Sequence, residues 1–246
     1  MQAGKVEEAT RNYIQALRVK PDYAEAHDGL GVVLAGDGEL KAAIAHYEQA
    51  LRIKPDYAEA HNNLGTALRR AGMVQDAIRH YEEALRLSAD FAEAHYNLGN
   101  ALSQTGKLQD AIGHYEHAVR LKPDFAEAHH GFGTLLVSKG RVKDAIDEYL
   151  RALQLRPDYA EARNDLGAAL TSQGKLDEAI TNFAAAIRLE PDYADAHYNL
   201  GIVLARHGQI EEAISHLQSA VRLEPNSERF HRALDRLQQI RAQGGR

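Results

Sequence analysis

Prolines stand at positions 21, 55, 123, 157, 191 and 225, and every interval between neighbours is 34 or 68 residues. The missing member falls at Ala89. Around these positions the same wording returns: PDYAEAHDGLG, PDYAEAHNNLG, ADFAEAHYNLG, PDFAEAHHGFG, PDYAEARNDLG and PDYADAHYNLG. A fixed period of this length means stacked units, none able to bury its apolar face alone. Cutting before Ala24 gives six full 34-residue units: 24–57, 58–91, 92–125, 126–159, 160–193 and 194–227. Residues 1–23 read as the second half of an earlier unit. Residues 228–246 begin a seventh unit and then depart from it. The 246 residues leave nothing over for a separate domain.

Each unit reads as two helices. In 58–91 the first is expected to start at Asp56, an N-cap candidate after Pro55, with Glu59 completing an Asp-x-x-Glu capping box. It stops near Gly72, where a left-handed cap fits, and the same Gly recurs as Gly4, Gly38, Gly106, Gly140, Gly174 and Gly208. The second helix runs from about Val74 to Leu87. There Val74, Ala77, Ile78, Tyr81, Ala84, Leu85 and Leu87 mostly follow the spacing of one buried stripe. Two small-residue columns mark close approach: Gly31, Gly65, Gly99, Gly133, Gly167 and Gly201, and the alanines from Ala9 to Ala213. A helical Gly costs about 1 kcal/mol against Ala, so six in one register imply a packing need. Glu48–Arg52, Glu82–Arg86 and Glu116–Arg120 are expected as i, i+4 pairs.

Leu64, Gly65, Leu68, Gly72, Ala77, Tyr81, Ala84 and the boundary Pro55 resemble the tetratricopeptide-repeat (TPR) pattern, and the resemblance covers essentially the whole chain. In one column it departs: His27, His61, His95, His129, Arg163 and His197 replace the usual bulky aromatic early in the first helix. The wording also resembles bacterial TPR scaffolds and the TPR arm of O-linked N-acetylglucosamine transferases. The resemblance implies an all-α fold, a right-handed α-solenoid whose first helices line a concave groove that binds peptides or proteins.

The polar stripe of the first helices is the candidate site. Asn62, Asn63, Thr66, Arg69 and Arg70 share it in 58–91, and Tyr96, Asn97 and Asn100 in the next unit. His130 and Thr134, then Asn164 and Asp165, then Tyr198, Asn199 and Arg206 continue it. Asn63, Asn97 and Asn199 occupy one register, and an asparagine side chain offers both donors and acceptors to a peptide backbone. That use resembles the asparagine ladder of the transferase arm. Tyr96 and Tyr198 are candidate aromatic anchors. The acidic column from Glu25 to Asp195 is expected to serve helix starts. The stripe has no Lys, so no clamp for chaperone C-terminal carboxylates is expected, although Arg69 and Arg70 remain available to a carboxylate.

Composition narrows the classes. A formal charge of −6 gives no basic footprint for nucleic acid, and no apolar run approaches the ~20 residues that span a bilayer. With no Cys there are no disulfides or thiolate sites; with no signal peptide in this chain, a cytoplasmic location is the expectation. Six of the thirteen His form the column His27 to His231, but ~8–10 Å between helices is too far for successive members to share one zinc. His114 and His117 lack an evident third ligand. Gly29-Leu30-Gly31 and Gly131-Phe132-Gly133 lie inside helices, without the strand a dinucleotide motif needs. No catalysis, metal or cofactor is expected.

At the C-terminal end, Phe230, Leu234 and Leu237 are expected to pack inward as a cap. Arg229, Arg232, Arg236 and Arg241 are expected to keep its outer face wet. Residues 5–19 form a second helix lacking its partner, which suggests a fragment or an edge open to self-association. The reading is a non-catalytic scaffold for a protein or extended peptide. The alternatives are the substrate-recruiting arm of a glycosyltransferase and a self-assembling scaffold.

Overall fold

The computed structural model describes residues 2–244. Helices follow one another without strands among the described residues: α1 Gln2–Val19, α2 Ala24–Gly36, α3 Leu40–Ile53, α4 Ala58–Arg70, α5 Val74–Leu87, α6 Ala92–Gln104 and α7 Leu108–Leu121. Then come α8 Ala126–Ser138, α9 Val142–Leu155, α10 Ala160–Ser172, α11 Leu176–Leu189, α12 Ala194–Arg206, α13 Ile210–Leu223 and α14 Glu228–Gly244. They form two compact units, residues 1–123 and 124–246. Each is an all-α stack of helical hairpins of the α-solenoid class.

Within each unit every helix packs on the next in sequence. The first helices also touch one another: α2 on α4 and α4 on α6 in the first unit, α8 on α10, α10 on α12 and α12 on α14 in the second. No second helix touches the next second helix in either unit. Each stack is therefore tighter along its first helices, and that face is the concave one.

The close approach rests on the glycine column. A Cβ built at Gly65 lies 2.7 Å from the Tyr81 ring, and one at Gly167 lies 2.8 Å from Phe183. The second-helix aromatic thus lies flat across the first helix, and Tyr81, Tyr149 and Phe183 are fully buried. The alanines Ala43, Ala77, Ala111, Ala145, Ala179 and Ala213 have no exposed surface. Each hairpin turns at a left-handed glycine, Gly72 at φ +84° among them. Gly4 lies inside α1 rather than at a turn, and α1 begins at Gln2 rather than near residue 5.

The capping box does not form. The N-cap of α4 is Tyr57, in an extended conformation with no side-chain cap bond, and Asp56 sits in the preceding turn. Tyr23, Phe91, Phe125, Tyr159 and Tyr193 hold the same place. The aromatic is needed for packing: Tyr57 closes a core cluster over Ala24, Ala50 and Ala60. Released from capping, the acidic column pairs elsewhere. Glu25 meets Lys54 at 3.2 Å, Glu93 meets Lys122 at 2.7 Å and Glu127 meets Arg156 at 2.8 Å. Glu25 is held below the ordinary carboxylate range, first by its own backbone N–H and then by Lys54.

The expected i, i+4 pairs shift to i, i+3. Arg86 pairs with Glu83, Arg52 with Gln49 and Arg120 with His117. In α14, Phe230 and Leu237 are buried. Arg229, Arg232, Arg236 and Arg241 are exposed; the first three also line a pocket against α12, and Arg241 pairs with Glu211.

Candidate functional site

The polar residues of α2, α4 and α6 meet at the seams between first helices. Asn63 Nδ2 donates to Asp28 Oδ1 at 3.0 Å, and Asn97 Nδ2 donates to Asn62 Oδ1 at 2.9 Å. In the second unit, Asn199 Nδ2 donates to Asn164 Oδ1 at 2.9 Å and His130 Nε2 lies 2.9 Å from Asp165 Oδ2. Each link spans 35 residues, one repeat plus one position. Asn62 and Asn164 are buried at these links, which leaves little of either at the surface. Asp28 is buried too, and its carboxyl is pushed up by burial, against the opposing pull of the Asn63 amide. The ladder is thus partly a seam. Asn97 and Asn199 stay half-buried, and each has an amide donor and a carbonyl beyond the seam bond.

A second set of polar groups comes from behind. Tyr81 Oη donates to Thr66 Oγ1 at 3.2 Å, Tyr115 Oη to Asn100 Oδ1 at 2.5 Å and Tyr149 Oη to Thr134 Oγ1 at 3.3 Å. The second-helix tyrosine passes over the glycine and delivers its hydroxyl to the concave face. Burial pushes the Tyr149 phenol up to about 12, so it stays a neutral donor. In the last two full repeats the tyrosine becomes Phe183 and Leu217, and the residue it would reach becomes Ala168 and Ile202. In these two repeats hydroxyl and partner leave together, whereas the buried Tyr47 keeps its hydroxyl with Val32 in the partner position.

The remaining candidates are distributed as follows. Arg70 donates to the Ala35 carbonyl at the end of α2, at 2.7 Å. Arg69 is half-buried with its Nε unpaired, its charge beside the Tyr81 hydroxyl. Tyr96 stands edge-on to Tyr115. His130 also meets the Tyr159 hydroxyl at 2.9 Å. Tyr198 packs on Phe230, and Arg206 is exposed. Between α8 and α10 lies a pocket of about 270 Å³, lined by Thr134 and Asp165 together with Val137, Val142, Ala168 and Ala169. A larger cleft of about 700 Å³ opens on the other face of the first unit, between α3 and α5, over Ile44, Leu51, Leu64, Leu68 and Met73.

The histidine column has partners the sequence reading missed. His27, His61, His95 and His197 each place Nδ1 2.9–3.0 Å from Nδ1 of a histidine 19 residues on: His46, His80, His114 and His216. Each first-helix Nε2 faces a carbonyl, of Pro21, Pro55, Ala89 and Pro191. A carbonyl only accepts, so that Nε2 carries the proton and Nδ1 is left as acceptor. The second-helix imidazole must donate through its own Nδ1–H. Burial holds His46, His80, His114 and His216 below the ordinary imidazole value, His114 at about 4. His117 stacks flat on His95. Among the described residues, no three His, Asp or Glu side chains are disposed to hold a metal ion, and no helix is long and apolar enough to cross a membrane.

Family models agree with this architecture. A TPR repeat model matches residues 1–38, 37–72, 133–171 and 167–208, and Tetratricopeptide repeat models match 62–126 and 194–227. No curated protein matches the chain significantly. Among solved structures, the Cut9–Hcn1 hetero-tetramer of APC/C superposes with a TM-score of 0.84 at 19% identity, over 96% of this chain and 46% of that one. This chain thus spans about half the length of that neighbour. PilF of Pseudomonas aeruginosa gives 0.76 at 18% identity, over 96% of this chain and 99% of that one. YrrB gives 0.63 at 29% identity, over 76% of this chain and 96% of that one.

Proposed function

The chain belongs to the tetratricopeptide-repeat family, and from that premise we propose that it is an interaction module holding a peptide or protein segment against its first helices. The observation that carries this reading is the state of the seam amides. Asn97 and Asn199 are fixed by one hydrogen bond each and keep further donor and acceptor capacity on the concave face. A side chain held in place loses little entropy on binding, which favours recognition of an extended main chain. The pocket between α8 and α10 takes a side chain of that segment, with Thr134 and Asp165 fixing its direction. YrrB, a TPR protein with an unusual peptide-binding site, supports a peptide as ligand.

The test is a random peptide library selected on the full chain and re-titrated against two variants. Ala168→Arg fills the concave pocket from an exposed position. Met73→Arg blocks the cleft between α3 and α5. The expected outcome is a loss of about tenfold or more in affinity for Ala168→Arg, with unchanged helicity and no effect of Met73→Arg. Peptides that ignore Ala168→Arg and are lost with Met73→Arg move the site to the opposite face and overturn the proposal.

A further inference from the structure

The pocket between α8 and α10 has a counterpart 68 residues on, between α12 and α14, with a volume of about 660 Å³. The two correspond position by position. Thr134 becomes Ile202, Val142 becomes Ile210, Ala169 becomes Leu237 and Ser172 becomes Ile240. The floor is therefore more apolar, and Ile240 remains 44% exposed. The charge changes as well: Asp165 becomes Ala233 and Ala168 becomes Arg236, and the larger pocket adds Arg206, Arg229 and Arg232, whose counterparts Ser138, Glu161 and Asn164 do not line the smaller one. The acidic column that runs from Glu25 to Asp195 ends in an arginine at this one place.

Two of these four guanidinium groups already have a carboxylate: Arg229 pairs with Asp195 and Arg232 with Glu228. Arg229 also lies over the Tyr198 ring, 5.0 Å from its centroid. Among the described residues no carboxylate pairs with Arg206 or Arg236, and the pocket gathers these two positive charges in a chain whose formal charge is −6. Arginine binds carboxylates through a flat, bidentate fork and tolerates partial burial better than lysine. A volume of this size lies within the ~300–1,000 Å³ range of ligand sites.

We infer that the pocket between α12 and α14 binds an acidic peptide segment, one large apolar side chain entering over Ile202, Leu237 and Ile240 while flanking carboxylates meet Arg206 and Arg236. Two features exclude a bare anion as the best fit. An inorganic anion has no use for the aliphatic side chains of Ile202, Leu237 and Ile240, and Arg229 and Arg232 are already paired with carboxylates. Arg229, Arg232 and Arg236 form only a short stripe on α14, whereas a nucleic acid backbone needs an extended one, and the acidic remainder of the chain repels it. The inference deepens the first-helix reading by giving its partner a chemistry at one end of the second unit.

The experiment is fluorescence anisotropy on the full chain with a fluorescein-labelled Gly-Ser-Asp-Phe-Glu-Asp-Ser-Gly peptide. Its neutral Asn/Gln counterpart and a version with Ala for Phe are the controls. The acidic Phe peptide should bind at least about tenfold tighter than either control. The variant R206E/R236E should lose about tenfold or more and come to prefer a Lys-flanked Phe peptide, with an unchanged circular dichroism melt. If charge reversal loosens α14, R206A/R236A should still weaken binding several-fold. Ala168→Arg should leave this binding unchanged, so failure here and failure of the smaller pocket read separately. Equal binding of the acidic and neutral peptides overturns the inference. So does full competition by oligodeoxythymidine with the Phe side chain dispensable, which marks a general polyanion patch.

Discussion

A single missing methyl group sets the distance between the helices of each hairpin. A Cβ at Gly65 falls 2.7 Å from the buried Tyr81 ring, whereas one at Gly113, inside α7, meets nothing within 4 Å. Gly65→Ala should therefore destabilise the chain by roughly 1–3 kcal/mol through overpacking. Gly113→Ala should stabilise it by roughly 0.5–1 kcal/mol, by removing glycine's backbone entropy. Urea titrations of the two variants check the opposite signs. The histidine pairs give a second expectation. The folded values of His46, His80, His114 and His216 lie below the unfolded value near 6.5. As pH falls below that value the unfolded chain takes up protons that the folded chain refuses. Stability is then fully present above about pH 6.5 and is lost progressively towards pH 4. A melting temperature that is flat between pH 7 and 5 contradicts this, and His114→Gln should reduce the slope. The histidine column was legible as a repeat. Its partners were not, because the second histidine belongs to the other helix and only the fold sets the 19-residue offset.

At the scale of the element, second helices read almost to the residue: the stripe from Val74 to Leu87 is α5. The N-cap of the first helices moved one residue on, from Asp56 to Tyr57 in α4, because the Pro-Asp pair is used in the turn and an aromatic takes the N-cap for the sake of the core. Asp56→Ala therefore should change stability by less than about 0.5 kcal/mol. A true N-cap carboxylate would cost about 1 kcal/mol, and differential scanning calorimetry separates the two. The asparagine column was visible, yet its bonds cross from one repeat to the next at an interval of 35, where 34 was the period read. The signal was present: Asp28 and Asn63, Asn62 and Asn97, His130 and Asp165, and Asn164 and Asn199 are all polar pairs at that interval. The tyrosine hydroxyls were hidden for another reason. A residue on the buried stripe of one helix delivers its only polar atom to the exposed face of the other.

For the molecule as a whole, stability should be the sum of hairpins and the interfaces between neighbours. Deleting residues 58–91 removes α4 and α5 and brings α3 against α6 in the register that α3 and α4 had. The shortened chain should fold with proportionate helicity and an m-value lower by about one-seventh, since 34 of 246 residues are gone. Circular dichroism with urea titration reads both quantities. Repeat architecture and fold class were legible because every hairpin repeats the same few packing decisions. The pocket between α12 and α14 was not, because its arginines read as the solvated side of a terminal helix. Only the packing of α14 on α12 turns them towards an apolar floor.

The second helices stand apart while the first helices touch, and this gives each unit a different restraint in each of its two bending directions. Straightening a stack pulls open the amide seams, such as Asn97 to Asn62, and breaks hydrogen bonds one repeat at a time. Curling it further presses together first helices that already touch and widens the wedge between α3 and α5, baring its apolar floor to water. Each unit is thus braced against both motions, by hydrogen bonds in one and by helix contact in the other, and keeps a preset arc.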